Sequence, residues 1–453
     1  MWAMIPSLDA VVQVLAPAFS QPSFCSYGQL FLGWILCLGQ HRLCRVADSA
    51  QPQALRDHSQ RHGLDTTYNF FERSAWSVSG LAQRVAILLL TRLNRTGTIT
   101  LLVDDTLAHK RGRHVWGLGW FRDAVASTRK RTATASGHNW VVVAVAVGLP
   151  WPDAPILAFP VLARLRHPGK AQLSGPQLAR DMLAEVLAWF PGRRFTLVGD
   201  GAYAAKSLLA GLDERVAFVG RLRGDAAVYD PCVPRATSKR RGRPATKGPR
   251  LPSPKQAAAK ADRVRSASSL WSWRSVTVTV YGATRTLRTL TYTAVWPTVL
   301  GLRPVQVVVV RDPKEKMSDI FLFTTELGAR PAWVITQFSW RWSIEVLFRA
   351  SKQVLEIEAP QHWCRSSVEK VAPWVWSVQS VVMVWYVTAG RELAEAAELR
   401  EVMGPWDSEW SLRHMVAVLR RATLNATIKP MSSEPSDLLK LIEALKNCVN
   451  LAV

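Results

Sequence analysis

Three carboxylates stand out for where they fall in the chain. Asp104, with Asp105 beside it, ends the apolar run TITLLVDD; Asp200 ends RFTLVGD; Glu345 lies in SWRWSIEVLFRASKQ, residues 339–353. The first two runs read as buried strands whose ends open into a site, and the third has the periodicity of an amphipathic helix. Carboxylates gathered at strand ends repel one another unless cations neutralise them, and Mg²⁺, which prefers oxygen ligands, does so readily. Two such ions bridged by carboxylates can activate a water or a 3′-hydroxyl and stabilise the leaving oxygen in phosphodiester displacement. Strand-end Asp residues alone are a weak signal, since Asp also caps helices.

The glutamate stretch strengthens it. At helical spacing Arg341, Glu345 and Lys352 share one face, with Phe338 a turn before Arg341 and Phe348 between the other two. Taken alone, this is a solvated ion pair worth about 0.3–0.5 kcal/mol.

The elements that must position these groups belong to a chain of 453 residues, 48% apolar, with room for two or three domains. Its 57 Lys and Arg against 34 Asp and Glu leave a net charge of +23, which points to a polyanionic partner. The six cysteines form no Cys-x-x-Cys pair and have no zinc-spaced His, so reduced, cytosolic thiols are expected. MWAMIPSLDAVV lacks the basic start of a secretory signal. Residues 371–389, VAPWVWSVQSVVMVWYVTA, are long and uncharged enough to count as a membrane span. Ser377, Gln379, Ser380 and Pro373 favour instead a helix buried on all sides in a core, with a single-span protein as the alternative.

Residues 1–95 read as helical, either a DNA-end binding region or a helical cap. Residues 96–230 alternate strands with helices, so an α/β core is expected, with Ser174 capping a helix. Residues 231–319 combine a basic, Pro-rich linker, read as flexible through residue 260, with an all-β insertion. Residues 320–390 return to the core and 391–453 are helical. Within the linker, Arg241-Gly242-Arg243-Pro244 is similar to an AT-hook core, though phosphate binding is the simpler role. HKRGRH, with Lys110 and Arg111, either steers a nucleic-acid strand or is a solvated basic loop. Trp271, Trp273 and Trp296, in or beside the β-rich segment, are each expected to pack. His138 and His167 have no triad partners. No Walker A, Gly-x-Gly-x-x-Gly or His-Glu-x-x-His motif is present, so nucleotide hydrolysis, dinucleotide binding and zinc hydrolysis lack support.

The spacing Phe338-x2-Arg341-x3-Glu345-x6-Lys352 resembles the Tyr-x2-Arg-x3-Glu-x6-Lys signature of a large group of bacterial insertion-sequence transposases in the DDE superfamily. LLVDDT and TLVGDGAY stand where that family has its other two acids. The resemblance covers about residues 95–390. It implies an RNase H-like catalytic core with an all-β insertion, flanked by helical N- and C-terminal regions. Asp104, Asp200 and Glu345 would hold two Mg²⁺ or Mn²⁺ ions. Arg341 and Lys352 would contact DNA phosphates, with Arg349, Lys110, Arg111, Arg241 and Arg243 as further contacts. The implied partners are transposon terminal inverted repeats and target DNA, held by a homodimer in the bacterial cytoplasm at the nucleoid, with no membrane. Phe338 departs from the signature Tyr and removes its phenol. Asp104 aligns with the family's ligand two residues before Thr106; a shifted strand register would make it Asp105. A DNA-binding protein derived from a transposase but without catalysis is the alternative.

Overall fold

The chain is described by a computed structural model over residues 4–50, 62–128, 130–151, 154–169, 172–231, 247–264, 266, 269–314, 317–395 and 408–431. Its centre is a sheet of β1 (Ile99–His109), β2 (Gly119–Arg122), β3 (Thr134–Val147), β4 (Leu157–Arg166), β5 (Phe195–Gly199), β6 (Val216–Arg221), β7 (Arg274–Val280), β8 (Ala283–Val295), β9 (Pro304–Arg311) and β10 (Ile320–Thr324). The strand order is β2-β3-β1-β5-β6-β10-β9-β8-β7, and β4 pairs β3 beyond β2. β3 lies between β1 and β4 and is antiparallel to both, whereas β5 and β6 run parallel to β1. Runs such as VVVAVAV in β3 are buried throughout, because helices cover the sheet and leave no face for polar alternation.

The β-rich segment prolongs the central sheet: β10 pairs β6 on one side and β9 on the other, and β8 and β7 follow β9. One expectation is revised. The stretch read as a flexible linker through residue 260 ends in the helix Pro254–Ala261. There the Ser253 backbone N–H donates to Gln256 Oε1 at 3.0 Å, and Gln256 N–H to Ser253 Oγ at 3.4 Å, a capping box spelled by S-P-K-Q. Arg241 and Arg243, with the AT-hook-like segment, lie outside the described residues. Trp271 packs on Tyr292 at 5.2 Å, Trp273 lies under Arg311, and Trp296 meets Phe323 edge-on.

The apolar stretch at 371–389 falls in the helix Arg365–Trp385, continued by a π-helical turn, Tyr386–Gly390. By length and composition it could cross a membrane, yet 83% of its most apolar window is buried in the fold. Its polar residues have internal partners. Ser380 Oγ donates to the Pro160 carbonyl at 2.6 Å, Ser377 lies 3.4 Å from Tyr27 Oη, and Gln379 Oε1 accepts from Ser351 at 2.7 Å. The N-terminal helices Gln21–Leu36 and His62–Glu72 bring Tyr27, Trp34, Phe70 and Phe71 around Trp374, which is fully buried. Trp374→Ala is therefore expected to lower the unfolding free energy by about 3–5 kcal/mol, read as a fall in the urea midpoint at unchanged slope.

Candidate active site

Register brings the first two acids together. β1 and β5 pair in parallel from Ile99↔Phe195 to Val103↔Gly199, so the next residues on the two strands, Asp104 and Asp200, emerge side by side. Asp200 Oδ1 accepts the backbone N–H groups of Ala202 at 2.8 Å and Tyr203 at 3.3 Å, which folds the turn after β5 back under its own carboxylate. Successive strand residues point to opposite faces. Asp105 accordingly turns away from Asp104: its Oδ2 accepts from Asn139 Nδ2 at 2.9 Å and its Oδ1 from the buried Tyr203 hydroxyl at 3.5 Å.

The glutamate arrives on a broken helix. Residues 331–353 form two helices, Pro331–Trp340 and Trp342–Gln353, and Arg341 sits at their junction rather than inside one. Its backbone stays helical, at φ −52° and ψ −33°, so the reach to Glu345 one turn on survives. The guanidinium forks between two acids: Nη1 donates to Asp104 Oδ2 at 2.9 Å and Nη2 to Glu345 Oε1 at 2.6 Å. Asp104 and Glu345 are thus one guanidinium width apart. Two further bonds dock these helices on β1. Thr100 Oγ1 donates to Gln337 Oε1 at 3.0 Å in the buried interior, and Lys352 Nζ donates to the Leu107 carbonyl while lying 3.3 Å from Glu358 Oε1.

Burial is the largest influence on the Asp104 carboxyl and pushes it up to about 7, with Arg341 pulling the other way and the nearby Asp200 charge adding to the rise. Burial would lower the Arg341 guanidinium, but Asp104 and Glu345 outweigh it and hold it above its ordinary value. The donor set of Asp104, Asp200 and Glu345 is all carboxylate oxygen, which suits a hard divalent cation. Among the described residues no three His, Cys, Asp or Glu side chains already converge closely enough to hold an ion; Asp104 and Glu345 converge on Arg341 instead.

The other cations named from the sequence scatter. Arg111 and Arg349 are exposed. The Lys110 ammonium is turned inward, donating to the carbonyls of Glu358 at 2.7 Å and Pro360 at 2.6 Å, and burial lowers it to about 8. Phe338 lies beneath the Arg341 guanidinium, 6.0 Å from ring centre to carbon. His138 is structural: its Nε2 is 2.9 Å from the Trp116 carbonyl, and burial brings it down to about 4. Sequence reading missed Thr100, Gln337, Asn139 and Tyr203. It also missed Tyr281, exposed at the tip of the β7–β8 hairpin and near enough to Arg341 and Glu345 to feel their charges. The Tyr-Gly pair between two alternating runs was the available signal for that tip, since both residues carry positive φ.

An unfolded Asp titrates near about 3.9, so a folded Asp104 titrating near about 7 holds its proton more tightly than the unfolded chain does. Its contribution to stability is complete below about pH 4 and is lost as pH rises toward about 7. Urea unfolding with chelator present should show this fall across the window in the wild-type protein, and Asp104→Asn should flatten it. Equal slopes in the two proteins would contradict the assignment.

Comparison with known proteins gives a family. The family described as DDE superfamily endonuclease matches residues 17–286, more than half of the chain; the matched span includes Asp104 and Asp200 and ends before Glu345. No curated protein sequence matches the chain. Among solved structures, the cryo-EM structure of a piggyBac transposase synaptic complex with hairpin DNA is similar at a TM-score of 0.39 and 10% identity, over 95% of this chain and 76% of that one. On the family match, the chain belongs to the DDE superfamily endonucleases.

Proposed function

We propose that the chain is a DNA transposase of a bacterial insertion sequence, with an RNase H-like core, that cuts the element's ends and joins them to target DNA. The observation that carries this reading is a pair of relations among distant acids: Asp104 and Asp200 follow the paired residues Val103↔Gly199 on adjacent strands, and Arg341 bridges Asp104 to Glu345. Three antiparallel strands followed by two parallel ones support the RNase H-like core. Two divalent ions, Mg²⁺ or Mn²⁺, held by Asp104, Asp200 and Glu345, would supply an activated water or 3′-hydroxyl and a counter-charge for the leaving oxygen.

The chain's own residues do the remainder. Asp105 is bound to Asn139 and Tyr203 and steadies the middle of β1, which runs on past the acid pair to His109 rather than ending there as the sequence reading expected, and does not ligate. Arg341 neutralises Asp104 and Glu345 until a DNA phosphate, which fits the same guanidinium fork, competes for it. Lys352 fixes the far end of the glutamate helix on the Leu107 carbonyl, and its release to a phosphate at the cleaved end belongs to this reading. Arg349 and Arg111 offer exposed charge to the backbone, and Arg241 and Arg243 extend the same role. The net +23 suits a partner made of phosphates. The terminal inverted repeats, the target site and a homodimer bridging two ends in the cytoplasm belong to this reading.

A supercoiled plasmid carrying the element's inverted repeats tests it. With Mg²⁺ or Mn²⁺ the wild-type protein should nick the plasmid. Glu345→Gln should reduce nicking by roughly 10²–10³-fold or more, the scale of removing one electrostatic stabiliser from a transition state, at unchanged DNA affinity. A wild-type protein that binds the repeats and never cuts them would favour the non-catalytic alternative.

A further inference from the structure

β2 and β3 form a hairpin at the His109 end of β1, and β2 is the last strand on that side of the sheet. The two most exposed large apolar side chains among the described residues are both on it: Trp120 in β2, 74% exposed, and Val125 in the connecting loop, 93% exposed. The loop is well braced. Asp123 is buried, and its Oδ1 accepts the backbone N–H groups of Val125 and Ala126, each at 3.0 Å. Ser127 Oγ donates to the Asp123 carbonyl at 2.5 Å and accepts the Ala133 N–H at 3.0 Å. His109 Nε2 lies 2.9 Å from Asp123 Oδ2, which ties the loop to the strand that carries Asp104.

A rigid arm that holds a Trp and a Val in water is costly unless something covers them. Charge indicates the cover: Arg122, on the same face of β2 as Trp120, and Lys130 and Arg131 on the returning arm are all exposed. Apolar side chains flanked by cations match duplex DNA, whose base steps accept an apolar wedge from the minor groove while the phosphates take the charges. His109 lies five residues past Asp104. At a strand rise of roughly 3.3 Å, a duplex along β1 would meet the hairpin about five base pairs from the acids.

We propose that the β2–β3 hairpin is a wedge that bends duplex DNA, with Trp120 and Val125 pressed into a base step and Arg122, Lys130 and Arg131 on the flanking phosphates. This rests on the reading of the chain as a DNA-cutting enzyme and names the element that deforms its substrate. The test uses the full chain and a short duplex with a fluorescent donor and acceptor at its ends, following affinity by anisotropy across a salt series and bending by energy transfer. The wild-type protein should bind with a strong salt dependence and bring the ends together. Trp120→Ala with Val125→Ser should weaken binding by roughly tenfold, the scale of one lost aromatic stack, leave the salt slope unchanged and release the bend. Arg122→Ala and Lys130→Ala should each reduce the slope by about 0.9.

A double variant that binds and bends like the wild type overturns the wedge. So does one that bends DNA normally but shifts from dimer to monomer in light scattering, which would make the hairpin a contact between copies. Wild-type binding without bending removes the wedge and leaves the DNA-cutting reading standing; no duplex binding at any salt removes both.

Discussion

The forked contact of Arg341 with Asp104 and Glu345 is the constraint on which the site depends. Taking Asp104 out of water with other acids near it is unfavourable twice over, through desolvation and through mutual repulsion. The guanidinium offsets part of both with a charge of opposite sign and two directed hydrogen bonds, the geometry in which Arg outperforms Lys. The Arg341 contact could not hold its register by itself. Gln337, one helical turn earlier, bonds Thr100, which lies on the same face of β1 as Asp104, and Lys352 at the far end bonds the Leu107 carbonyl. Three polar ties spread along one strand fix both the angle and the position of the helix pair, so Glu345 has little freedom to miss.

Those ties act because β1 is itself immobile. It is hydrogen-bonded on both edges, to β3 and β5, and its apolar residues are buried. The glutamate helix is held from behind by the Arg365–Trp385 helix: Ser351 donates to Gln379 and accepts from Trp376. That second helix is in turn packed around Trp374 by the N-terminal helices. A long apolar segment that could have crossed a membrane therefore serves as the support for an acidic site. The three acids are far apart in sequence, and their distances are set by this continuous core rather than by any local turn.

Strands β1, β3, β4, β5 and β6 were legible because each is a β-branched or apolar run bounded by polar or turn residues, and their alternation with helices indicated the α/β class. Position of the acids was legible for the same reason: Asp104 and Asp200 stand where apolar runs stop. What the sequence could not carry was pairing. Nothing in VQVVVVRD says which strands β9 lies between, since an apolar run is equally content beside any neighbour. Nor could composition separate Lys110, turned in to two backbone carbonyls, from Arg111 beside it, which faces water. Capping chemistry was legible but unread at Ser253-x-x-Gln256, where proline and basic residues hid a helix start.

Asp104 and Asp105 show how adjacent, chemically identical groups come to differ. The pleat sends one toward the helix pair, where its neighbours are a guanidinium and other acids; the other faces an amide and a phenol, both neutral donors. A carboxylate bound by neutral donors on both oxygens has little reason to exchange them for a cation. One bound by a cation has already accepted a positive neighbour and can exchange it for another. The same distinction sorts the basic residues. Arg341, Lys352 and Lys110 are engaged inside the fold, so the excess positive charge that meets a phosphate backbone must come mainly from exposed residues, such as Arg111, Arg122, Lys130, Arg131 and Arg349. Net charge indicated a polyanionic partner, but the three-dimensional structure decides which cations remain available for it.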